Sequence, residues 1–312
     1  MFGKFLNNYY YGKSGKGDFQ KDDLPSNRFQ LFFEMLKIRF SGLFKLNIMY
    51  VIVWLPAMVL LLNASFSWFG GLITLSENNS TFNFLEFTQS LILRTLILLI
   101  PCIAITGPFT AGLSFVVRNW ARDEHAFVWS DYKDAIKSNW KQGLIFSSLT
   151  SVIPLISFVG ILYYSTMAKS NYIFYIPLVL MGAVAIIWSC MTIFFYPQMV
   201  TYSLNIKNLI KNCLLLSLAR LPHIIGIRLL SLLPIIICIL VSFFTTYFQI
   251  ALIITFFYYI LFGFAFNRFI YASFTNAVFD ELLNSKIEGA EINRGLSKQE
   301  NDEFDDSDDD LE

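Results

Sequence analysis

Long uncharged apolar runs, separated by short charged clusters, set the pattern of this chain. No charged residue occurs from Leu46 to Phe69, and uncharged runs recur at 95–117, 142–168 and 171–201. A helix crosses the hydrocarbon core of a bilayer in about 20 mostly apolar residues, so each run predicts one transmembrane span, the first at 46–69. Between the first two, Glu77-Asn78-Asn79-Ser80-Thr81, with Glu86 and Arg94 behind it, predicts a loop. The run from Leu229 to Asn267 holds no charge over 39 residues, or about 58 Å at the helical rise of about 1.5 Å per residue. That is too long for one crossing, and it predicts two spans, 229–246 and 249–267, with a turn near Thr245–Gln249. The expected architecture is all-α: a polytopic bundle of six transmembrane helices over residues 27–280, a flexible N-terminal arm over 1–26 and an acidic, disordered tail over 281–312.

Three further segments have helical amphipathic spacing and precede the first, third and fifth spans. Phe29, Phe32, Phe33, Leu36, Phe40, Leu43 and Phe44 alternate with Arg28, Glu34, Lys37 and Lys45. Trp129, Tyr132, Ile136 and Trp140 stand against Asp131, Lys133, Lys137 and Lys141, and Ile206, Leu209, Ile210, Cys213 and Leu214 against Lys207, Asn208, Lys211 and Asn212. An apolar stripe with basic flanks predicts a helix lying flat at the headgroup boundary. The recurrence points to an internal repeat of three units: an amphipathic helix, an outward span with a proline (Pro56, Pro154, Pro234), and a return span disturbed at Gly107-Pro108, Pro197 or Gly263. A proline frees a backbone carbonyl that a neighbouring helix must satisfy or that lines a cavity. Membrane helices also simply tolerate proline, which requires no repeat.

Composition agrees with a membrane chain. Charged residues make up 15% of it, against about 25% in soluble domains. The zero net charge hides an asymmetry: residues 1–45 carry eight Lys/Arg and four Asp/Glu, whereas 280–312 carry thirteen acids and three bases. With both termini inside, 21 of the 23 basic residues fall on the inner side, leaving only Arg94 and Lys169 outside. The positive-inside rule therefore predicts cytoplasmic termini. The first hydrophobic run begins too deep for a cleaved signal peptide and reads as a permanent span. The acidic run at Asp305–Asp310 reads as a solvated tail that could also meet a basic partner or a divalent cation.

Candidate chemistry is sparse. Gly12-Lys13-Ser14-Gly15-Lys16-Gly17 lacks the spacing of a phosphate loop. Cys102, Cys190, Cys213 and Cys238 form no CxxC and read as small hydrophobes rather than as disulfides or ligands. His125 and His223 lack partners in sequence, so no metal and no cofactor is expected. No catalytic pattern appears, and no Asp, Glu, Lys or His lies at the centre of a span, which argues against an enzyme and against ion-coupled transport. Arg94, Arg228 and Arg268 lie near span ends, where their side chains can snorkel to the interface. The most distinctive segment is the exit of the second span with the loop behind it. There Gly107-Pro108 bends or interrupts the helix, Gly112 permits close helix approach, and Arg118 and Arg122 can pair with Glu124, Asp131 or lipid headgroups. Gly107, Pro108, Gly112, Arg118, Arg122, Asp131, Asn139 and Trp140 are the candidate binding residues, with a purely structural role as the alternative.

This segment resembles the YesL family of bacterial membrane proteins, whose molecular function is unassigned. The family pattern falls on Gly107, Pro108, Ala111, Gly112, Leu113, Arg118, Arg122, Glu124, Asp131, Tyr132, Asn139, Lys141 and Gln142, and the Phe-rich basic entry at Arg28-Phe29 fits it too. The resemblance extends over roughly residues 1–280, the acidic tail being an addition. It implies a multi-pass protein of the bacterial cell membrane in an accessory or regulatory role beside a carbohydrate-uptake system. Expected partners are the lipid bilayer and a sugar permease subunit or other membrane protein, with no nucleic acid. A small-solute transporter, with a polar cavity lined by Thr106, Thr110 and Ser114, and a structural or lipid-organising protein are the alternatives.

Overall fold

Helices in this chain are long and run through the prolines Pro56, Pro101, Pro108, Pro154, Pro197 and Pro234. The computed structural model describes residues 24–76, 82–244 and 247–297. Helix α1 spans Arg28–Ser76, α2 Phe84–Trp120 and α3 Val128–Ala168. A 3-10 turn at Tyr172–Phe174 leads into α4, Tyr175–Thr201. Then follow α5 (Ile206–Ala219), α6 (Leu221–Phe244) and α7 (Phe248–Tyr258), joined through a π turn at Tyr259–Gly263 to α8 (Phe264–Leu282). Among the described residues six helical stretches are long and apolar enough to cross a membrane, which makes this a multi-pass, all-α bundle. The loop expected at Glu77–Thr81 and the acidic run at Asp305–Asp310 lie outside the described residues, as does most of the N-terminal arm. So do 245 and 246, in the turn between α6 and α7.

The amphipathic segments depart from expectation. The first two are not separate helices lying flat: they continue into their spans, so that α1 has 49 residues and α3 has 41. No proline stands at either junction, and the glycines there are used for contact rather than for a break. A Cβ on Gly42 would meet the Trp120 ring at 2.8 Å, and one on Gly143 would meet the backbone of Gly107 at 3.0 Å. The third segment is a separate helix, because Pro222 cannot continue α5 and the chain breaks at Arg220. Helix α2 begins well before residue 95 because Asn83 caps it, accepting from the Glu86 amide at 3.2 Å, and Glu86 complements the positive end.

Gly107-Pro108 does not interrupt α2, which is helical from Phe84 to Trp120. Pro108 has no N–H, so the Ala104 carbonyl four residues back loses its helical donor. Ser147 Oγ on α3 takes that place, donating to the Ala104 oxygen at 2.5 Å. This contact belongs to a repeated scheme. Buried positions follow one spacing on α1, α3 and α5: Leu43, Leu46 and Asn47; Gly143, Phe146 and Ser147; Cys213, Leu216 and Ser217. Each set docks on the return helix of the preceding unit. Ser147 reaches Ala104, Cys213 Sγ donates to Gln198 Oε1 at 3.1 Å, and Asn47 on α1 reaches the π turn before α8. With α3 on α2, α5 on α4 and α1 on α7–α8, the three units close into a ring.

Both described ends lie on one face of the bundle, the terminal face. Asp280 is 3% exposed, and its carboxylate accepts from Arg28 at 2.5 Å, Asn284 Nδ2 at 2.6 Å and the Asn293 amide at 3.2 Å. Arg122 donates to the Glu291 carbonyl at 3.2 Å, Arg294 meets Glu124, and the Ser297 amide reaches the Pro25 carbonyl at 3.1 Å. Gly295 has φ +82°, and a Cβ there would sit 3.2 Å from the Arg122 carbonyl oxygen. Residues 281–297, expected in a disordered tail, thus fold back on the bundle. Tyr202, just past α4, donates to Asn284 Oδ1 at 2.7 Å. Burial, reinforced by the Asp280 charge, pushes its phenol up to about 12.

Candidate ligand-binding cavity

The third return span does not pass regularly from α7 to α8. The π turn at Tyr259–Gly263 carries one extra residue and leaves backbone groups without helical partners. Asn47, fully buried on α1, supplies what is missing: its Nδ2 donates to the carbonyls of Tyr259 (3.0 Å) and Ile260 (2.7 Å), and its Oδ1 accepts from the Ala265 amide (2.9 Å). Gly263 is required there, since a Cβ would lie 2.6 Å from the Tyr258 ring. Beyond the turn, α8 presents Asn267 and Tyr271 to α6. Asn267 Nδ2 donates to the Ser231 carbonyl at 3.2 Å, and Tyr271 Oη donates to Ser231 Oγ at 2.6 Å.

Two arginines converge on Tyr271. Arg228 does not snorkel outward: it donates to the Ser189 carbonyl, to Thr192 Oγ1 at 2.6 Å and to Tyr271 Oη at 3.0 Å. All three acceptors are neutral. Arg268 makes no hydrogen bond within the described residues. Its guanidinium lies over the rings of Tyr196 and Tyr271, at 5.0 and 5.7 Å, and its Nη1 is buried without a partner. Among the described residues, the ion pairs involve Arg28, Arg122, Arg220 and Arg294, and neither Arg228 nor Arg268 has a carboxylate. An arginine within a span costs about 2.5–3.5 kcal/mol at the helix centre on insertion scales and less toward the ends. Cation–π contact returns only part of that.

Both arginines face a cavity of about 620 Å³ between α1, α6, α7 and α8. They stand at its end nearer the terminal face. The walls are otherwise mostly apolar, with Trp54 and Met58 from α1, Ile235 and Ile239 from α6, and Leu252 and Phe256 from α7. Trp54 stacks on Phe264 at 5.1 Å. Along α6 the lining runs from Arg228 to Ser242, or about 21 Å at the helical rise.

The residues singled out in the sequence lie elsewhere. Gly107, Pro108 and Gly112 form the α2–α3 seam: a Cβ on Gly107 would sit 2.1 Å from the Gly143 carbonyl oxygen, and one on Gly112 would lie 2.8 Å from Ile136 and the Tyr132 oxygen. Arg118 bonds Asn119 Oδ1 at 3.0 Å, while Arg122 pairs with Glu124 at 3.2 Å. Asp131 accepts from the Phe127 amide at the start of α3, at 2.8 Å. Asn139 donates to the Ala135 carbonyl at 3.0 Å, and Trp140 is half exposed beside Lys141. Asp131 and Asn139 also border a cleft of about 370 Å³ against the end of α4, and Asn139 and Trp140 a neighbouring one of about 400 Å³. Thr106, Thr110 and Ser114 are packed in the core, with Thr110 hydrogen-bonded to Tyr50 at 2.7 Å, and line neither the large cavity nor these two clefts. Sequence reasoning missed Asn47, Asn267 and Tyr271. It placed Arg228 and Arg268 correctly but misread them. The usable signal was their position, since they bracket the uncharged run Leu229–Asn267 and a helical hairpin brings such brackets to one end.

No group of three or more His, Cys, Asp or Glu among the described residues is placed to hold a metal. No curated protein and no solved structure matches the chain. A family model described as "Protein of unknown function, DUF624", the family of YesL-like proteins, matches residues 42–165, so that the likeness covers most of α1, all of α2 and most of α3, with every residue of the α2–α3 seam, but not the cavity's walls from α6 to α8.

Proposed function

We propose that this multi-pass membrane protein binds a negatively charged ligand in the cavity between α1, α6, α7 and α8. It acts without catalysis, as an accessory protein of the cell membrane. The observation that carries this reading is the pair Arg228 and Arg268, facing one cavity without a carboxylate. Charged groups within a span are retained where they do something, and a cation without an internal counter-ion is completed by an anion. The distribution of Lys and Arg supports a terminal face in the cytoplasm. Service to a carbohydrate-uptake system has the family resemblance as its support. The exposed row Phe29, Phe33 and Phe40 on α1 supplies a surface on which a partner can dock.

The test is thermal unfolding of the purified protein in a neutral detergent, titrated with inorganic phosphate and with dodecyl phosphate. Either anion should raise the melting temperature of the wild type and not of Arg268→Gln. No stabilisation by either would refute anion binding. For the accessory role, purification from native membranes should recover a permease subunit in stoichiometric amount. Recovery of the protein alone would remove it.

A further inference from the structure

We infer that the occupant is a lipid: a phosphate headgroup lies against Arg228 and Arg268, its acyl chain fills the rest of the cavity, and it enters from the bilayer between α1 and α6. This rests on the reading above that the cavity takes an anion. A small soluble anion would use only the arginine end. The remaining walls are mostly apolar and run along α6 from Leu232 to Ser242, about 15 Å, which matches the roughly 15 Å of hydrocarbon in one leaflet. That distribution, with charge at one end and hydrocarbon contact along the rest, matches an amphiphile and not a solute.

The way in is visible in how α6 is held. Its buried residues are Ile224, Ser231 and Cys238, one every seventh position, so a single narrow seam fixes it. It packs on α7, touches α4, α5 and α8, and stands off from α1. The wall between α1 and α6 therefore faces the acyl chains of the surrounding bilayer rather than water. Arg268 is the group best placed to read the headgroup, because no hydrogen bond within the described residues competes for it.

The occupant can be tested at Trp54, which lines the cavity against Phe264. The full chain is reconstituted into vesicles of phosphatidylcholine and phosphatidylglycerol, with dibrominated acyl chains on one or the other lipid. The difference in quenching between wild type and Trp54→Phe isolates this one tryptophan. Bromine on phosphatidylglycerol should quench Trp54 at a lower mole fraction than bromine on phosphatidylcholine. Arg268→Gln should weaken the preference about tenfold, the loss expected for one charge-assisted contact. Arg268→Lys, which keeps the charge, should restore part of it, and this separates charge reading from a folding defect. Equal quenching by the two lipids in the wild type would overturn the inference. Stabilisation by inorganic phosphate without preferential quenching would also overturn it, while leaving anion binding intact. Failure of both measurements would remove both readings.

Discussion

If Ser147 stands in for the helical donor that Pro108 removes, the two residues must be energetically coupled. Ser147 Oγ lies 2.5 Å from the Ala104 carbonyl oxygen and is buried, with a second, longer contact to the Leu144 carbonyl at 3.1 Å. Ser147→Ala removes the donor without changing the volume appreciably. Side-chain hydrogen bonds within membranes are worth about 0.6 kcal/mol on average and up to about 1.7, whereas a buried carbonyl left unsatisfied costs about 1–3 kcal/mol. Pro108 removes the helical donor of the Ala104 carbonyl and Ser147 replaces it, so we expect Ser147→Ala to cost about 1.5 kcal/mol, roughly twelvefold in the unfolding equilibrium. In a Pro108→Ala background the amide of residue 108 can bond Ala104, and the same substitution should cost less than about 0.5 kcal/mol. Unfolding all four proteins by SDS titration in mixed micelles gives the coupling energy directly. Additivity within about 0.3–0.5 kcal/mol would mean that Ser147 merely packs against α2, and the account of how the proline is tolerated would be wrong.

Other consequences are as direct. Gly107→Ala places a Cβ 2.1 Å from the Gly143 oxygen and should abolish monodisperse protein on size exclusion, whereas Gly226→Ala, with nothing within 4 Å, should be neutral. Asn47→Leu strips three hydrogen bonds from the π turn and should destabilise by about 2–4 kcal/mol, with a change in Trp54 emission as Phe264 shifts; a wild-type melt would contradict the role given to Asn47. Tyr202 should remain un-ionised beyond pH 10, in an ultraviolet titration compared with Tyr202→Phe. Because its folded pKa is raised to about 12, its contribution is complete below pH 10 and is lost as pH rises from 10 to 12, the unfolded chain ionising first. For the proposed orientation, Ser130→Cys should resist a membrane-impermeant maleimide applied to intact cells, while Asn171→Cys should react; the reverse pattern would invert the topology.

The fold was legible wherever the signal was local. Uncharged runs located six spans, and proline and glycine positions exposed the threefold recurrence that the contacts of Asn47, Ser147 and Cys213 now carry. Two things were hidden for physical reasons. Hydropathy cannot distinguish an amphipathic helix lying on a membrane from one that continues straight into it, and the answer turned on Gly42 and Gly143 being contact residues. The cavity was hidden because its walls are ordinary apolar residues. Its polar end is assembled from Arg228 on one side and Asn267, Arg268 and Tyr271 on the other, about forty positions apart in sequence and brought together by the hairpin of α6 and α7–α8. Conversely, within the segment of most unusual composition, Gly107, Pro108 and Gly112 form a helix crossing and Asp131 caps α3, while Asn139 and Trp140 border clefts away from the large cavity.

The unbroken length of α1 has a mechanical consequence. Met58 borders the cavity and Phe29 ends the same helix roughly 44 Å away, so the helix is a lever arm with its fulcrum at the Asn47 contact to the π turn. A tilt of about 5° about that fulcrum would carry Phe29, roughly 27 Å from Asn47, through about 2.4 Å, and the Arg28–Asp280 ion pair would pull the end of α8 along with it. Filling or emptying the space beside Met58 would then change the spacing of aromatic side chains at the far end, converting occupancy on one level of the bundle into displacement on another.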